Sequence, residues 1–199
     1  MSDALNVTEI KALIGAIISN GKTGNMRAVV QTLAEIEKRI KNLKNHQSSE
    51  LLAQAYRHSL EPFGVAKKFK DVETMILKIE QLLKSDANSE DLQETYSEAL
   101  NASVYHYIMN EQNKDIHRNL TKLGAFANKN QNHPFVQFNY AMALSRVAEY
   151  FAERDDKEVT YNILWEIIGI VTFFPGKEIL TQVTNGLLQC ITVAGTRLN

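Results

Sequence analysis

The chain of 199 residues is poor in cysteine, proline and glycine, and each shortage excludes something. A single cysteine, Cys190, rules out a disulfide within the chain and a cysteine-based zinc site. Its apolar neighbours favour a small buried residue at that position. With 3 prolines and 9 glycines, long segments run without a break and carry apolar residues at spacings of 3 and 4, which predicts helices nearly everywhere.

Long apolar runs are also missing. The most apolar stretch, 163–174, contains Trp165 and Glu166 and ends before Pro175, so we expect a buried helix and not a membrane span. The first residues lack a basic region followed by an apolar run, which argues against a signal peptide and makes cytoplasmic residence the expectation. No membrane partner is expected.

The chain has almost no excess of charge of either sign, since its formal net charge is −1. The two halves differ mildly, at +3 for residues 1–87 and −4 for residues 88–199. Basic residues cluster at 67–70 and 38–44, and a shared face could contact nucleic acid. Glutamates are interspersed at 35, 37 and 73, and a nucleic-acid interface needs a concentrated basic footprint, so a solvated surface is the preferred interpretation.

Capping residues and turn signals divide the chain into about nine predicted helices. Asn6 and Glu9 have the spacing of a capping box, and Asn20-Gly21 is typical of a helix C-terminus. Helix N-caps are predicted at Ser49, Asp71, Ser89 and Asp155, and Pro134 suits a first turn. The predicted helices span 7–20, 24–44, 49–69, 71–85, 89–111, 114–129, 134–153, 156–173 and 177–196.

These helices repeat with a period of 40 to 44 residues. A shift of 40 places Tyr56 on Tyr96, a further shift of 44 reaches Tyr140, and leucines or valines flank each tyrosine at equal spacing. The pattern predicts four helix pairs and a C-terminal helix in one domain over 1–199. Because each apolar stripe is too narrow to be buried alone, stacked pairs would share one core, and the tyrosine stripe is interpreted as core.

The chain resembles HEAT and armadillo repeats in its period, and tetratricopeptide repeats in its mid-helix tyrosines. It lacks the Trp-x-x-Leu-Gly-x-x-Tyr signature and the 34-residue period of the latter. The resemblance covers about residues 48–190 and implies an all-α, right-handed stack of antiparallel helix hairpins, an α-solenoid, with a binding face. A compact helical bundle is the alternative fold.

One motif looks enzymatic. Residues 16–23 end in Gly21-Lys22-Thr23 and fit a loose phosphate-loop pattern, but apolar residues at 17 and 18 continue a helical stripe and predict a helix end instead. The five histidines show no metal-ligand spacing, and His106 with Asp115 is interpreted as the polar end of a hairpin. No catalytic residue, metal or cofactor is predicted.

The predicted function is therefore a non-enzymatic module or scaffold that binds a peptide or partner protein. The alternative is a HEAT-like protein that binds or processes nucleic acid through its Lys-rich N-terminal half. Polar residues beside the apolar stripe are the predicted partner-binding positions: Gln54, Arg57, His58, Glu94, Ser97, Glu98, Gln137 and Arg146. The wide apolar face of the last helix has no following helix to cover it, so we expect it either to pack against a second subunit in a homodimer or to fold back on the neighbouring helix pair. The predicted homodimer interface is Leu180, Val183, Leu187 and Ile191.

Overall fold

The computed structural model describes residues 2–41 and 47–173, and within these ranges the fold is all-α. The predicted all-α class is confirmed. The predicted ninth helix, 177–196, and with it Cys190, lies outside the described residues. The helices are α1 (Ser2–Lys22), α2 (Met26–Ile40), α3 (Gln47–Val65), α4 (Phe69–Ser85), α5 (Glu90–Met109), α6 (Asn113–Lys129), α7 (Pro134–Ala152) and α8 (Lys157–Phe173).

The chain divides into two compact units, residues 1–106 and 107–199, with the boundary inside α5. In the first unit α1 packs on α2 and α3, α2 packs on α3, and α3 packs on α4. In the second unit α7 packs on both α6 and α8. Neighbours in sequence are thus neighbours in space, as in stacked helix pairs. The single domain and the right-handed solenoid stay predictions.

One kind of turn ends every odd-numbered helix. Residues Gly24, Lys67, Glu111 and Asp155 adopt positive φ values of 71°, 57°, 55° and 60°. After α1, the amide of Asn25 donates to the carbonyl of Asn20 at 2.9 Å, and the amide of Gly24 donates to Gly21 at 3.0 Å. This pair of bonds is the Schellman motif, and the amides after α3, α5 and α7 repeat it. Helix α1 therefore ends at Lys22, and the predicted stop at Asn20-Gly21 comes too early.

The spacing of these turns measures the repeat in the structure. The left-handed residues lie 43, 44 and 44 positions apart. A shift of 44 also matches burial between α3 and α5, because it places the buried Leu51 on the buried Thr95. A shift of 40 would place Leu51 on the exposed Asp91. The predicted equivalence of Tyr56 with Tyr96 is therefore wrong by one helical turn, and Tyr56 corresponds to Leu100.

The predicted helix starts have mixed outcomes. Ser89 caps α5, where its Oγ accepts from the amide of Leu92 at 3.2 Å, and Pro134 opens α7. The cap of α8 is Asp156 and not Asp155, since Asp156 Oδ1 accepts from the amide of Val159. The remaining predicted caps, at residues 6, 49 and 71, lie inside helices that begin earlier.

We expect Lys67→Gly to raise the free energy of unfolding by about 1 kcal/mol, because glycine removes the Cβ strain of a left-handed residue. Lys67 is exposed. The matched control Lys68→Gly, at φ −87°, should lower the free energy of unfolding by about 0.5 kcal/mol or more. Urea denaturation measures both, and equal effects of the two substitutions would contradict the assigned turn.

Candidate binding cleft

A tyrosine hydroxyl, a carboxylate and an ammonium meet in the first unit. The ring of Tyr56 on α3 is buried, and its hydroxyl donates to Glu37 Oε1 on α2 at 2.9 Å. Lys78 Nζ on α4 contacts the same oxygen at 2.6 Å and lies 4.9 Å from the centre of the Tyr56 ring. Burial alone would raise the pKa of Glu37, but the bonds from Lys78 and Tyr56 outweigh it and lower that pKa. The cluster is internally neutral.

Tyr96 on α5 also lies near a carboxylate, although in the register of the turns it corresponds to Leu52 and not to Tyr56. Its ring is buried, and burial together with the nearby charge of Glu80 on α4 raises the pKa of Tyr96 to about 12. Glu80 forms its ion pair with Lys84 of its own helix at 2.6 Å. A carboxylate from the preceding helix therefore faces the tyrosine in both cases.

Tyr140 on α7, in the second unit, is bonded to a carboxylate of the following helix and not of the preceding one. Its hydroxyl donates to Glu166 Oε1 of α8, the helix that follows. On the side of α6 stands Gly124, and a Cβ there would lie 2.7 Å from the Tyr140 hydroxyl oxygen. Burial and the bond to Glu166 raise the pKa of Tyr140, so the phenol stays protonated and continues to donate to Glu166.

The register of 43 and 44 residues shows what has changed between the repeats. Glu37 and Glu80 correspond to Gly124, while Lys78 and Lys122 correspond to Glu166. The second unit has thus lost the carboxylate of one helix and exchanged the ammonium of the next for a carboxylate. The described part of the chain places no basic side chain in an ion pair with Glu166, whereas Glu37 binds Lys78.

A cleft of about 380 Å³ opens at this place in the second unit. Its lining is Asn128, Gln131, Gln137, Tyr140, Glu166, Gly169 and Ile170. Its volume lies at the lower end of the range of about 300–1,000 Å³ that is typical of ligand pockets. Three of the lining residues carry side-chain amides, and Glu166 is the one charged residue among them. The cleft is the candidate functional site.

Gln137 is held firmly in the wall of the cleft. Its side-chain nitrogen donates to the carbonyl of Ala127 at 2.8 Å and to that of Asn130 at 3.2 Å. These bonds tie α7 to the C-terminal end of α6 and use both amide hydrogens, which leaves the Oε1 acceptor as the remaining polar capacity of the side chain.

The predicted partner-binding positions are distributed over both units. Arg57 Nε pairs with Glu98 at 2.9 Å, and an Arg57 terminal nitrogen lies 3.2 Å from His58 Nδ1, so three of them form one cluster between α3 and α5. Gln54 is exposed. Glu94 and Arg146 are partly exposed. Ser97 and Gln137 are buried, and Ser97 donates to the carbonyl of Glu94. A partner on the surface could therefore reach the other six, and of the eight positions Gln137 alone belongs to the cleft. Their role stays a prediction.

The structure separates the two basic clusters of the first unit. Glu37, beside Lys38, bonds to Tyr56 in the middle of α3, and α3 ends at Val65, nine residues later and about 14 Å along the helix axis, before the basic residues at 67–70. Arg39 is already paired with Glu9 and Glu35. Among the described basic residues, Lys38 and Arg39 are therefore separated along α3 from those at 67–70, and the nucleic-acid alternative stays a prediction.

The sequence 16–23 is a helix end, as predicted. Gly21 and Lys22 belong to α1, and the amides of Thr23 and Gly24 donate to helix carbonyls instead of being free for phosphate. A helix C-terminus also carries the unfavourable end of the dipole for an anion. In the described ranges no three metal-binding side chains cluster. His106 Nε2 is buried and lies 3.3 Å from Glu61 Oε2, and Asp115 pairs with Arg118 at 3.0 Å.

Helix α8 exposes a row of large apolar side chains. Tyr161, Trp165 and Ile168 are exposed at spacings of 4 and 3. Trp165 is 71% exposed, although tryptophan in a monomeric protein is normally well covered. No helix in the described portion of the chain has the length and apolarity needed to cross a membrane. The predicted interface, Leu180, Val183, Leu187 and Ile191, lies outside the described residues.

Comparisons with protein-family models, with curated proteins and with solved structures find no match to this chain. The class that the fold defines is an all-α protein of packed, sequentially neighbouring helices.

We expect the free energy of unfolding to decrease as the pH is lowered through the titration of His58. Burial and the charge of Arg57 lower the pKa of His58 below 6.5. The neutral ring therefore contributes stability that is fully present above pH 6.5 and is lost as the pH falls through the lowered value. Urea denaturation at about pH 7.5 and about pH 5.5 should show a smaller loss for His58→Gln than for the wild type. An equal loss would contradict the assigned environment.

Proposed function

We propose that the chain is a non-enzymatic protein-binding module of the helical-repeat type and that its cleft binds a peptide segment of a partner. The observation that carries this proposal is the cleft of about 380 Å³ in the second unit, which is lined by Glu166 at the position that Lys78 and Lys122 have in the two preceding repeats. Positions that break the local rules of a structure are candidates for functional sites.

The chemistry of the cleft rim supports a peptide. Asn128 and Gln131 are exposed, and a side-chain amide offers both a donor and an acceptor, which match the amide and carbonyl of a peptide backbone. Gly169 leaves the helix backbone of α8 uncovered by a side chain, and Ile170 adds an apolar contact. The exposed row of Tyr161, Trp165 and Ile168 on the same helix is further support for a protein partner.

The proposal includes the finer predictions made from sequence: a HEAT- or tetratricopeptide-like repeat, residence in the cytoplasm, and a homodimer through residues 177–196. The Lys-rich first half as a nucleic-acid contact is not carried forward.

The test blocks the cleft with a side chain. Peptides selected from a random library on the wild type are measured by calorimetry on Gly169→Phe and on the control Gly15→Phe. Both glycines are exposed within helices, and a Cβ at either meets nothing within 4 Å, so both variants should fold. We expect binding to weaken at least about tenfold, or 1.4 kcal/mol, in Gly169→Phe alone. Failure to select any peptide, or equal binding by the two variants, would contradict the proposal.

A further inference from the structure

The polar groups that the cleft holds in place are all acceptors. Glu166 is a carboxylate, and its Oε1 already accepts from Tyr140. The Tyr140 hydrogen is used in that bond, so the phenol oxygen can only accept. Gln137 donates both of its amide hydrogens, to the carbonyls of Ala127 and Asn130. A ligand that satisfies these three groups must bring donors.

The charge in the cleft is likewise unbalanced. In the first unit the tyrosine-bonded carboxylate, Glu37, receives both a tyrosine hydroxyl and the ammonium of Lys78. Glu166 accepts a hydrogen bond from the Tyr140 hydroxyl. In the register of the turns Glu166 stands at the position of Lys78, so that position supplies no ammonium in the second unit. The described residues provide no other cation to it. The second unit therefore presents a negative charge in a cavity where the first unit is neutral.

From these two observations we infer that the cleft recognises a positively charged side chain, an arginine guanidinium or a lysine ammonium, of the bound peptide. The cation donates to Glu166, Tyr140 and Gln137, as Lys78 donates to Glu37 in the first unit. Guanidinium carries five N–H donors in a plane and can serve several acceptors at once. The inference rests on the proposed peptide-binding function and names the class of peptide.

The test compares peptides that differ in one charge. Blocked serine-rich peptides carry arginine, lysine or citrulline at one central position, where citrulline keeps the shape of arginine without its charge. Binding is followed by calorimetry, and the amide signals of Gly124 and Gly169 in NMR spectra report on the cleft. We expect the arginine or lysine peptide to bind at least about tenfold more tightly than the citrulline peptide.

The variant Glu166→Gln removes the charge with little change of shape and should abolish the preference for the charged peptides. Glu158→Gln, on the same helix and also exposed, is the matched control and should keep the preference. Circular dichroism establishes that both variants are folded. Tyr140→Phe should weaken binding of the charged peptides severalfold, because it removes one acceptor and the hydrogen bond that orients Glu166.

The outcomes separate this inference from the proposed function. Equal binding of arginine and citrulline peptides at the cleft overturns the inference that the cleft recognises a cationic side chain, and it leaves the peptide-binding function standing. If no peptide shifts the Gly169 signal but arginine amide does, and Glu166→Gln abolishes that shift, the cation site stands and the peptide-binding function is overturned. If neither the peptides nor arginine amide shifts the signals of Gly124 and Gly169, both are overturned.

Discussion

The hydrogen-bonded turn that ends each odd-numbered helix is the constraint on which the rest of the structure depends. In each turn one residue adopts the left-handed conformation, and two backbone amides donate to the last carbonyls of the helix. It also fixes the direction in which the chain leaves, so each following helix begins in the same phase. Positions 43 or 44 apart therefore occupy equivalent places, and this equivalence gives meaning to the comparison of Glu37 with Gly124 and of Lys78 with Glu166.

Periodicity in the sequence was sufficient for the fold class but not for the register. Shifts of 40 and 44 differ by about one helical turn, so both keep the same apolar face, and Tyr56 could be laid on Tyr96 without any conflict in pattern. The turns decide between the two shifts. They carry no glycine signal at Lys67, Glu111 or Asp155, because the left-handed conformation there is tolerated by ordinary residues.

The candidate site was only partly predictable. Gln137 was chosen as an exposed polar flank, yet it is buried and forms the wall of the cleft. The tyrosines were correctly interpreted as core, since their rings are buried, but the hydroxyl of Tyr140 reaches the cleft. One signal was available in the sequence: lysines at 78 and 122 precede Glu166 at equal spacing. Such an inversion of charge gains significance only when the register is known and the side chains are seen to meet.

The central claim is that Glu166, which stands where the two preceding repeats have a lysine, binds the cationic side chain of a ligand. A crystal structure of the protein with a bound arginine peptide tests this claim most directly. We expect the guanidinium to lie within hydrogen-bonding distance of Glu166 and of the Gln137 side-chain oxygen, with the peptide backbone along Asn128 and Gln131. A peptide seated on another face, or an arginine side chain directed into solvent away from Glu166, would contradict the account.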